Sequence, residues 1–226
     1  DRLRFMKENV MLVVNDFNLV VKNMDKTEKS LFQEKLQVLQ KKTSPGLVRL
    51  KWNSRGVVDA FVRDCRKLCN DVYDLLKRFK RNHFIISSKC RLISDIVLVI
   101  IEKKRIYEEG QFEAAQVDHC SRCKDMMKKA SIAIRDAVMD SSAIFDEDSK
   151  EVRKEAEKYI FAVDKMVEDA LRQAVKKSLQ ELSRNINGES KNEVQPLFKV
   201  FVTLEKEIVE FKPNKDEIAH MINSVA

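Results

Sequence analysis

Five residues of this sequence could meet in chemistry by type and spacing: His119, Cys120 and Cys123 in one stretch, Cys65 and Cys69 in another. On a helix His119 and Cys123 share a face, as do Cys65 and Cys69. If those faces met, four soft ligands could surround zinc tetrahedrally. His119, Cys65 and Cys123 also fall on the apolar stripes of their helices, where a buried thiol behaves as a small hydrophobe. A Cys-x-x-Cys inside a helix is also a weak redox signal. Core packing is therefore the favoured reading for Cys65, Cys69, Cys120 and Cys123, and no metal is assigned. A zinc-binding regulatory module is kept as a third reading of the chain. The cysteines number five with Cys90. An odd count in a chain of this length speaks against a secreted disulfide framework and for a reducing compartment.

Nothing else in the sequence converges on a reaction. There is no GxxxxGK[ST] phosphate loop, no GxGxxG after a strand, no GxSxG and no HExxH. His83, His119 and His220 lie in helical stretches without sharp turns beside them. Glu108 and Glu109 are adjacent and point apart on a helix. Glu205 and Glu207 flank a predicted turn. No catalytic residue, cofactor or metal is expected, and the segment is expected not to be an enzyme. Met126-Met127 reads as gap-filling core.

The elements that must position these residues are mostly helices. Only four Gly and three Pro occur among 226 residues, too few for the frequent turns of a sheet-rich fold. Leu3, Met6, Val10, Val13, Phe17, Val20 and Met24 step by three and four along a first helix. Asp25 with Glu28 forms a capping box that opens a second, running to about Lys42 and burying Leu31, Leu36 and Leu39. Thr43-Ser44-Pro45-Gly46 stops it. Leu47 to Asn53 is a connector holding the one Trp, Trp52. Ser54 caps a third helix with Val57, Phe61, Cys65, Leu68, Val72, Leu75 and Phe79 on one stripe, about 40 Å long to Lys80. Asn82 caps a fourth, through Ile85, Cys90, Ile93, Ile96 and Ile100 to about Tyr107. It is the most apolar helix and belongs in the middle of a bundle. Its β-branched run from 96 to 101 leaves a strand as the alternative.

Gly110 marks a break. A fifth helix carries Phe112, Ala115, His119, Cys123, Met126, Ala130, Ile134 and Ala137 towards Phe145, and Asp146-Glu147-Asp148-Ser149 ends it. Asp148 with Glu151 starts a sixth, with Val152, Ala156, Tyr159, Val163, Met166 and Ala170 reaching Leu182 and Ile186 before Asn187-Gly188. Beyond a polar loop, Phe198, Val200, Val202 and Leu204 alternate at strand period. Glu205-Lys206-Glu207 turns the chain and Ile208 to Phe211 returns. Two strands alone are marginal in water, so they should lean on the helices or on further chain. Pro213-Asn214 with Glu217 opens a last short helix ending near Val225. The fold class is thus mainly α: an elongated array of about six long helices, a small C-terminal β-hairpin and a short terminal helix.

The surface follows from charge. Charged residues are 35% and apolar residues 44%, with a net charge of +7 from 43 basic and 36 acidic side chains. Lys and Glu are interspersed, as on solvated helix faces. A dedicated nucleic-acid binder concentrates its charge, and none is expected here. The most basic stretch, Lys77-Arg78-Phe79-Lys80-Arg81, sits at a predicted helix end, where cations favour the dipole. The longest apolar run, residues 96–101, is far short of the roughly 20 residues that span a bilayer. A soluble chain without membrane contact is expected. A start at Asp1 rather than Met fits a piece cut from a longer polypeptide.

Order and spacing carry a resemblance. Pro45-Gly46-Leu47, then Leu50-Lys51-Trp52-Asn53-Ser54, then a long helix from Phe61 to Phe79 and Asn82 opening the next, resemble the dynein heavy chain tail. Ser178-Leu179-x-x-Leu182 is similar to the close of a later tail helix. Pro196-Leu197-Phe198, Leu204 and Phe211-x-Pro213 are similar to the strand pair that follows. The likeness touches most of the chain from about residue 30 to the end. The chain departs from the pattern near Tyr159, where a Trp is expected, and its first thirty residues carry nothing diagnostic. The resemblance, taken as axonemal, implies a stem segment outside the ATPase ring with no nucleotide residues of its own. It implies scaffolding of subunit assembly and force transmission in microtubule-based ciliary motility. The implied partners are dynein intermediate and light chains, neighbouring heavy chains or docking factors. The implied location is cytoplasm and cytoskeleton, in the axoneme of a cilium or flagellum. The expected domains are 1–53, a helical pair with the Trp connector; 54–188, the long-helix bundle; and 189–226, the hairpin and short helix. The alternative is a helical adaptor or cytoskeletal bundle of spectrin or vinculin type, which should show a repeat at fixed period; none is found.

Overall fold

A computed structural model describes residues 2–44, 54–101, 106–108, 110–187, 198–205 and 208–223. The described elements are α1 (Arg2–Lys22), α2 (Lys26–Leu31), α3 (Gln33–Thr43), α4 (Arg55–Ser94), α5 (Gln111–Ser142), α6 (Lys150–Asn187), β1 (Phe201–Glu205), β2 (Ile208–Lys212) and α7 (Lys215–Asn223). The mainly helical class, the small antiparallel hairpin and the short helix after it are all present. The chain gathers into two compact units, one of Asp1–Ile86 with Arg135–Asp164, the other of Ser87–Ile134 with Lys165–Ala226. The connector holding Trp52 lies outside the described residues, as do Pro45 and Gly46.

In the first unit α1 buries Met6, Val10, Val13 and Val20 as its spacing predicts, while Leu3 stays exposed. Met6 and Val10 pack against Val58 of α4. The predicted capping box is formed: the Asp25 carboxylate accepts from the Glu28 N–H at 2.8 Å and the Glu28 carboxylate from the Asp25 N–H at 2.9 Å. The single helix expected from there to Lys42 is instead two. The backbone leaves helical values at Phe32, with φ −91° and ψ 8°, where the ring is wholly buried between other aromatics.

The largest correction concerns α4. Asn82 caps no helix: α4 runs through it for 40 residues, about 60 Å at 1.5 Å per residue. Asn caps a helix by turning its side chain onto the helix's own backbone. Here the Asn82 amide donates sideways, to Asp140 Oδ2 at 2.7 Å and Ser141 Oγ at 3.2 Å. The basic stretch 77–81 therefore lies in mid-helix, not at an end. The buried stripe also differs by a position in places: Val58, Cys69 and Leu76 are buried and Val57 is exposed. Steps of three and four approximate 3.6, and over eleven turns the rounding moves the stripe.

In the second unit α4 stops at Ser94, far short of Tyr107. Residues 96–101 are neither helix nor strand. This strap is irregular, with Ile96 and Val99 buried. Gly110 does mark the break, at φ +76°, a conformation a side chain disfavours. α5 then begins at Gln111 and ends at Ser142, before the acidic run. α6 starts one residue later than read: Ser149, not Asp148, is the cap, its Oγ accepting from the Val152 N–H at 3.4 Å. Asp148 is drawn away by Lys35.

β1 and β2 pair antiparallel with Val202 opposite Phe211 and Leu204 opposite Val209. Phe198 lies before β1, in a parallel bridge to Tyr107. The predicted turn residues Lys206 and Glu207 lie outside the described set. The hairpin does not lean its strands on the helices; Val202, Leu204, Val209 and Phe211, which share a face, are all exposed. Its anchors are at its ends: Phe198 and, from α7, Met221 join Tyr107 and Phe112 in one buried cluster. Asn214 and Glu217 cap α7 reciprocally, both bonds within 2.9 Å.

Candidate functional site

The richest convergence of side chains in the first unit is an aromatic and ionic node. The Phe79 ring lies 6.0 Å from Phe32, 5.9 Å from Phe145 and 4.9 Å from Tyr159, measured between centroids. Phe32 and Phe145 meet edge to face at 5.3 Å, the arrangement that sets a ring's positive edge on a negative face. Tyr159, where the family pattern expects Trp, keeps its hydroxyl 3.2 Å from His83 Nδ1. Burial pushes its phenol up to about 12. At neutral pH the phenol keeps its proton, and the direction of its hydrogen bond with His83 follows the imidazole tautomer. Tyr159→Phe is expected to keep the ring packing and cost about 1 kcal/mol for the lost hydrogen bond. Paired thermal melts measure it.

Charged groups ring the node. Lys35 pairs with Asp148 and lies 5.4 Å from the centre of the Phe145 ring. The Ser149 N–H donates to Glu34 Oε2 at 3.1 Å, and its hydroxyl and N–H hold the Glu34 carboxyl below the usual range. Lys80 reaches Glu28 at 3.2 Å and the Asn23 carbonyl at 2.8 Å. Arg78 grips Asp140 with two nitrogens, Nε at 2.8 Å. Arg78 and then Asn82 hold the Asp140 carboxyl down to about 2. Thus two cations of the basic stretch, Arg78 and Lys80, are engaged within the fold and Phe79 is core.

A pH dependence follows from Asp140. Its folded-state pKa lies below its unfolded value near 3.8, so the unfolded chain binds the proton more readily. The contribution is whole above about pH 4 and is lost as pH falls through 2. Asp140 is partly exposed, so solvent screening leaves about 1 kcal/mol of it. In acid urea titrations, Asp140→Asn is expected to flatten the fall in stability between pH 4 and pH 2 relative to the parent chain.

The second unit holds the strap by side chains rather than by backbone ladders. Gln116 of α5, wholly buried, accepts from the Ile100 N–H at 2.9 Å and donates to the Ile100 carbonyl at 2.5 Å. Ser178 of α6 accepts from the Leu98 N–H at 2.8 Å. His119 Nε2 donates to the Val97 carbonyl at 2.7 Å, joined there by Cys123 Sγ at 3.7 Å, and Cys120 Sγ lies 3.8 Å from the Leu98 carbonyl. A carbonyl oxygen only accepts, so His119 carries its proton on Nε2. Each backbone group in an irregular buried segment needs such a partner. An open cleft of about 600 Å³ adjoins the strap, lined by Arg91, Asp95, Val97, His119, Cys123 and Met126 among others.

The five residues first singled out are divided between the units. Cys65 and Cys69 belong to the first, His119, Cys120 and Cys123 to the second. Among the described residues no three His, Cys, Asp or Glu side chains are grouped to hold a metal. Burial raises Cys65, Cys90 and Cys123, and pushes Cys69 up to about 11. A protonated thiol is a poor ligand and nucleophile. Met126 and Cys120, both read as core, are exposed instead. Gln116 and Ser178 carried no signal as strap holders, because a lone polar residue on an apolar stripe does not announce its partner. Among the described residues no helix is long and apolar enough to cross a membrane.

Comparison with known proteins bears on this architecture. A family model described as dynein heavy chain, N-terminal region 1, matches residues 1–61, including the opening stretch without diagnostic motifs. The chain is 36% identical over 228 residues to the Dynein-1-beta heavy chain, flagellar inner arm I1 complex, of Chlamydomonas reinhardtii, an alignment covering 100% of this chain and 5% of that protein. It is 33% identical over 229 residues to Dynein axonemal heavy chain 2 of Mus musculus, covering 99% and 5%. It is 24% identical over 210 residues to Dynein axonemal heavy chain 17 of Homo sapiens, covering 91% and 4%. The chain thus spans about 5% of the length of the first two relatives. A likeness that runs from end to end of a helical chain, together with the family match at its start, shows that the chain belongs to the dynein heavy chain family, in the N-terminal tail.

Proposed function

We propose that this chain is a structural stem segment of an axonemal dynein heavy chain, scaffolding subunit assembly and passing force in microtubule-based ciliary motility. The observation that carries the reading is 36% identity, sustained over the whole chain, to a flagellar inner-arm heavy chain. The helices α4, α5 and α6, of 40, 32 and 38 residues, support it. A long hydrogen-bonded rod with a packed stripe transmits load with little extension. Catalysis would lie elsewhere in the heavy chain, and the raised thiols and internally paired charges support a segment without its own reaction. Its partners would be dynein intermediate and light chains, neighbouring heavy chains or docking factors, in the axoneme.

The test is to immobilise the chain, pass ciliary extract over it and identify what remains after a moderate-salt wash. Recovery of dynein subunits or a docking factor is expected. Recovery of none would remove the scaffolding role. A parallel assay for ATP hydrolysis by the isolated chain is expected to stay at buffer level, and turnover above it would end the non-catalytic reading. The alternative of a spectrin- or vinculin-type adaptor has no observation in its favour.

A further inference from the structure

Of the five cysteines, Cys120 alone is exposed, and it sits three residues before the buried Cys123 on α5. The two sulfurs reach consecutive carbonyls of the strap, Leu98 and Val97. Their side chains therefore run along one side of the helix towards one target. Helix geometry places such Cα atoms about 5 Å apart, inside the span of roughly 4.4–6.8 Å that a disulfide bridges. The Cβ atoms start about 5–6 Å apart, more than a relaxed disulfide prefers, so closure must tighten that turn. Strained disulfides of this kind are the readily reduced ones. The other thiols lack this arrangement: Cys65, Cys69 and Cys90 are all buried.

We propose that Cys120 and Cys123 are a reversible dithiol modification site that takes up a disulfide bond from a small-molecule disulfide and thereby loosens the grip of α5 on the strap. The steps balance. Cys120 loses its proton to solvent, and its thiolate attacks one sulfur of oxidised glutathione. The S–S bond breaks and one glutathione leaves as thiolate. Cys123 then gives up its proton and attacks Cys120 Sγ in the mixed disulfide, expelling the second glutathione. Its buried thiol stays protonated and is slow as a nucleophile towards molecules in solution, but here the target is held one turn away on the same helix. The two cysteines are oxidised by two electrons, the glutathione disulfide is reduced to two thiols, and those thiols take the two protons. Oxidised sulfurs no longer donate. The Leu98 carbonyl loses its Cys120 contact, and the Val97 carbonyl loses its Cys123 contact while His119 still donates to it.

The test uses the whole 226-residue chain, fully reduced, then exposed anaerobically to excess oxidised glutathione. Free thiols are alkylated and peptides weighed, with amide hydrogen exchange followed in parallel. The peptide holding Cys120 and Cys123 is expected to lose two hydrogens and to regain them with dithiothreitol. Cys65, Cys69 and Cys90 are expected to remain alkylatable. Exchange at Leu98, whose N–H is held by Ser178 Oγ, is expected to quicken several-fold. Cys123→Ser is expected to stop at the glutathione adduct on Cys120, and Cys120→Ser to stay unreacted. The proposal is overturned if the parent chain ends as that adduct with Cys123 still free. It is overturned equally if Cys65 and Cys69 oxidise in step, or if the bond forms and Leu98 exchange is unchanged.

Discussion

Replacing Phe79 by Ala is expected to lower stability by about 3–5 kcal/mol. The ring is 3% exposed and touches Phe32, Phe145 and Tyr159 at once. Truncation removes its transfer energy, its edge-to-face contacts and the filling between residues from α4, the α5–α6 turn and the α2–α3 break. Those backbones carry their own ion pairs, such as Arg78 with Asp140 and Lys35 with Asp148, so they cannot easily collapse into the void. A domain is stable by only about 5–15 kcal/mol in total, so the loss is a large share. Urea denaturation gives the size, and hydrogen exchange gives the place. Amides of α3 and of 150–163 should exchange faster, while those of 112–130 in the second unit should change least. Phe79→Leu should lose less, about 1–2 kcal/mol, because it keeps much of the volume. A loss under 1 kcal/mol for Phe79→Ala would mean the node is not the core of its unit.

Gln116→Leu tests the strap, and its expected sign runs against simple hydrophobicity. Leu is close in size to Gln and more apolar, in a site that is 1% exposed. The exchange should nevertheless destabilise by about 2–4 kcal/mol, since two backbone groups lose their partner at about 1–3 kcal/mol each, less the gain of an apolar side chain. Both groups belong to Ile100. Neither can turn to a helix or sheet ladder, because residues 96–101 form none. The loss should appear in the urea midpoint, and exchange at the Ile100 N–H should rise in step. An unchanged or raised midpoint would show that water or backbone adjustment satisfies Ile100, and that the strap does not depend on α5.

Much of the architecture was readable along the chain because it is written in local terms. Asp25 with Glu28 and Asn214 with Glu217 state helix starts within four residues, and both boxes form. Strand alternation announced the hairpin whose cross-strand pairs include Val202 with Phe211. Apolar steps of three and four located α1, α5 and α6, and the order of tail motifs pointed to the family that the comparisons then identified. The errors fell where a distant partner outbid a local preference. Asn82 looked like a cap until Asp140 and Ser141 claimed its amide. Asp148 looked like a cap until Lys35 took its carboxylate. Ile96 to Ile101 looked helical by period, yet its backbone is satisfied by Gln116, Ser178 and His119 from elsewhere.

The sequence by itself determined the helical class, the starts that carry capping boxes, the hairpin and membership of a dynein tail, because capping, periodicity and motif order act over a few residues. Only the tertiary structure decided that α4 is one rod, that the apolar run becomes a strap, and that Cys120 and Cys123 face consecutive carbonyls. Those outcomes rest on hydrogen bonds and ring contacts between residues as much as 115 positions apart, such as Glu34 with Ser149. A side chain's choice between its own backbone and a remote partner is an energy difference of about 1 kcal/mol, which no local pattern records.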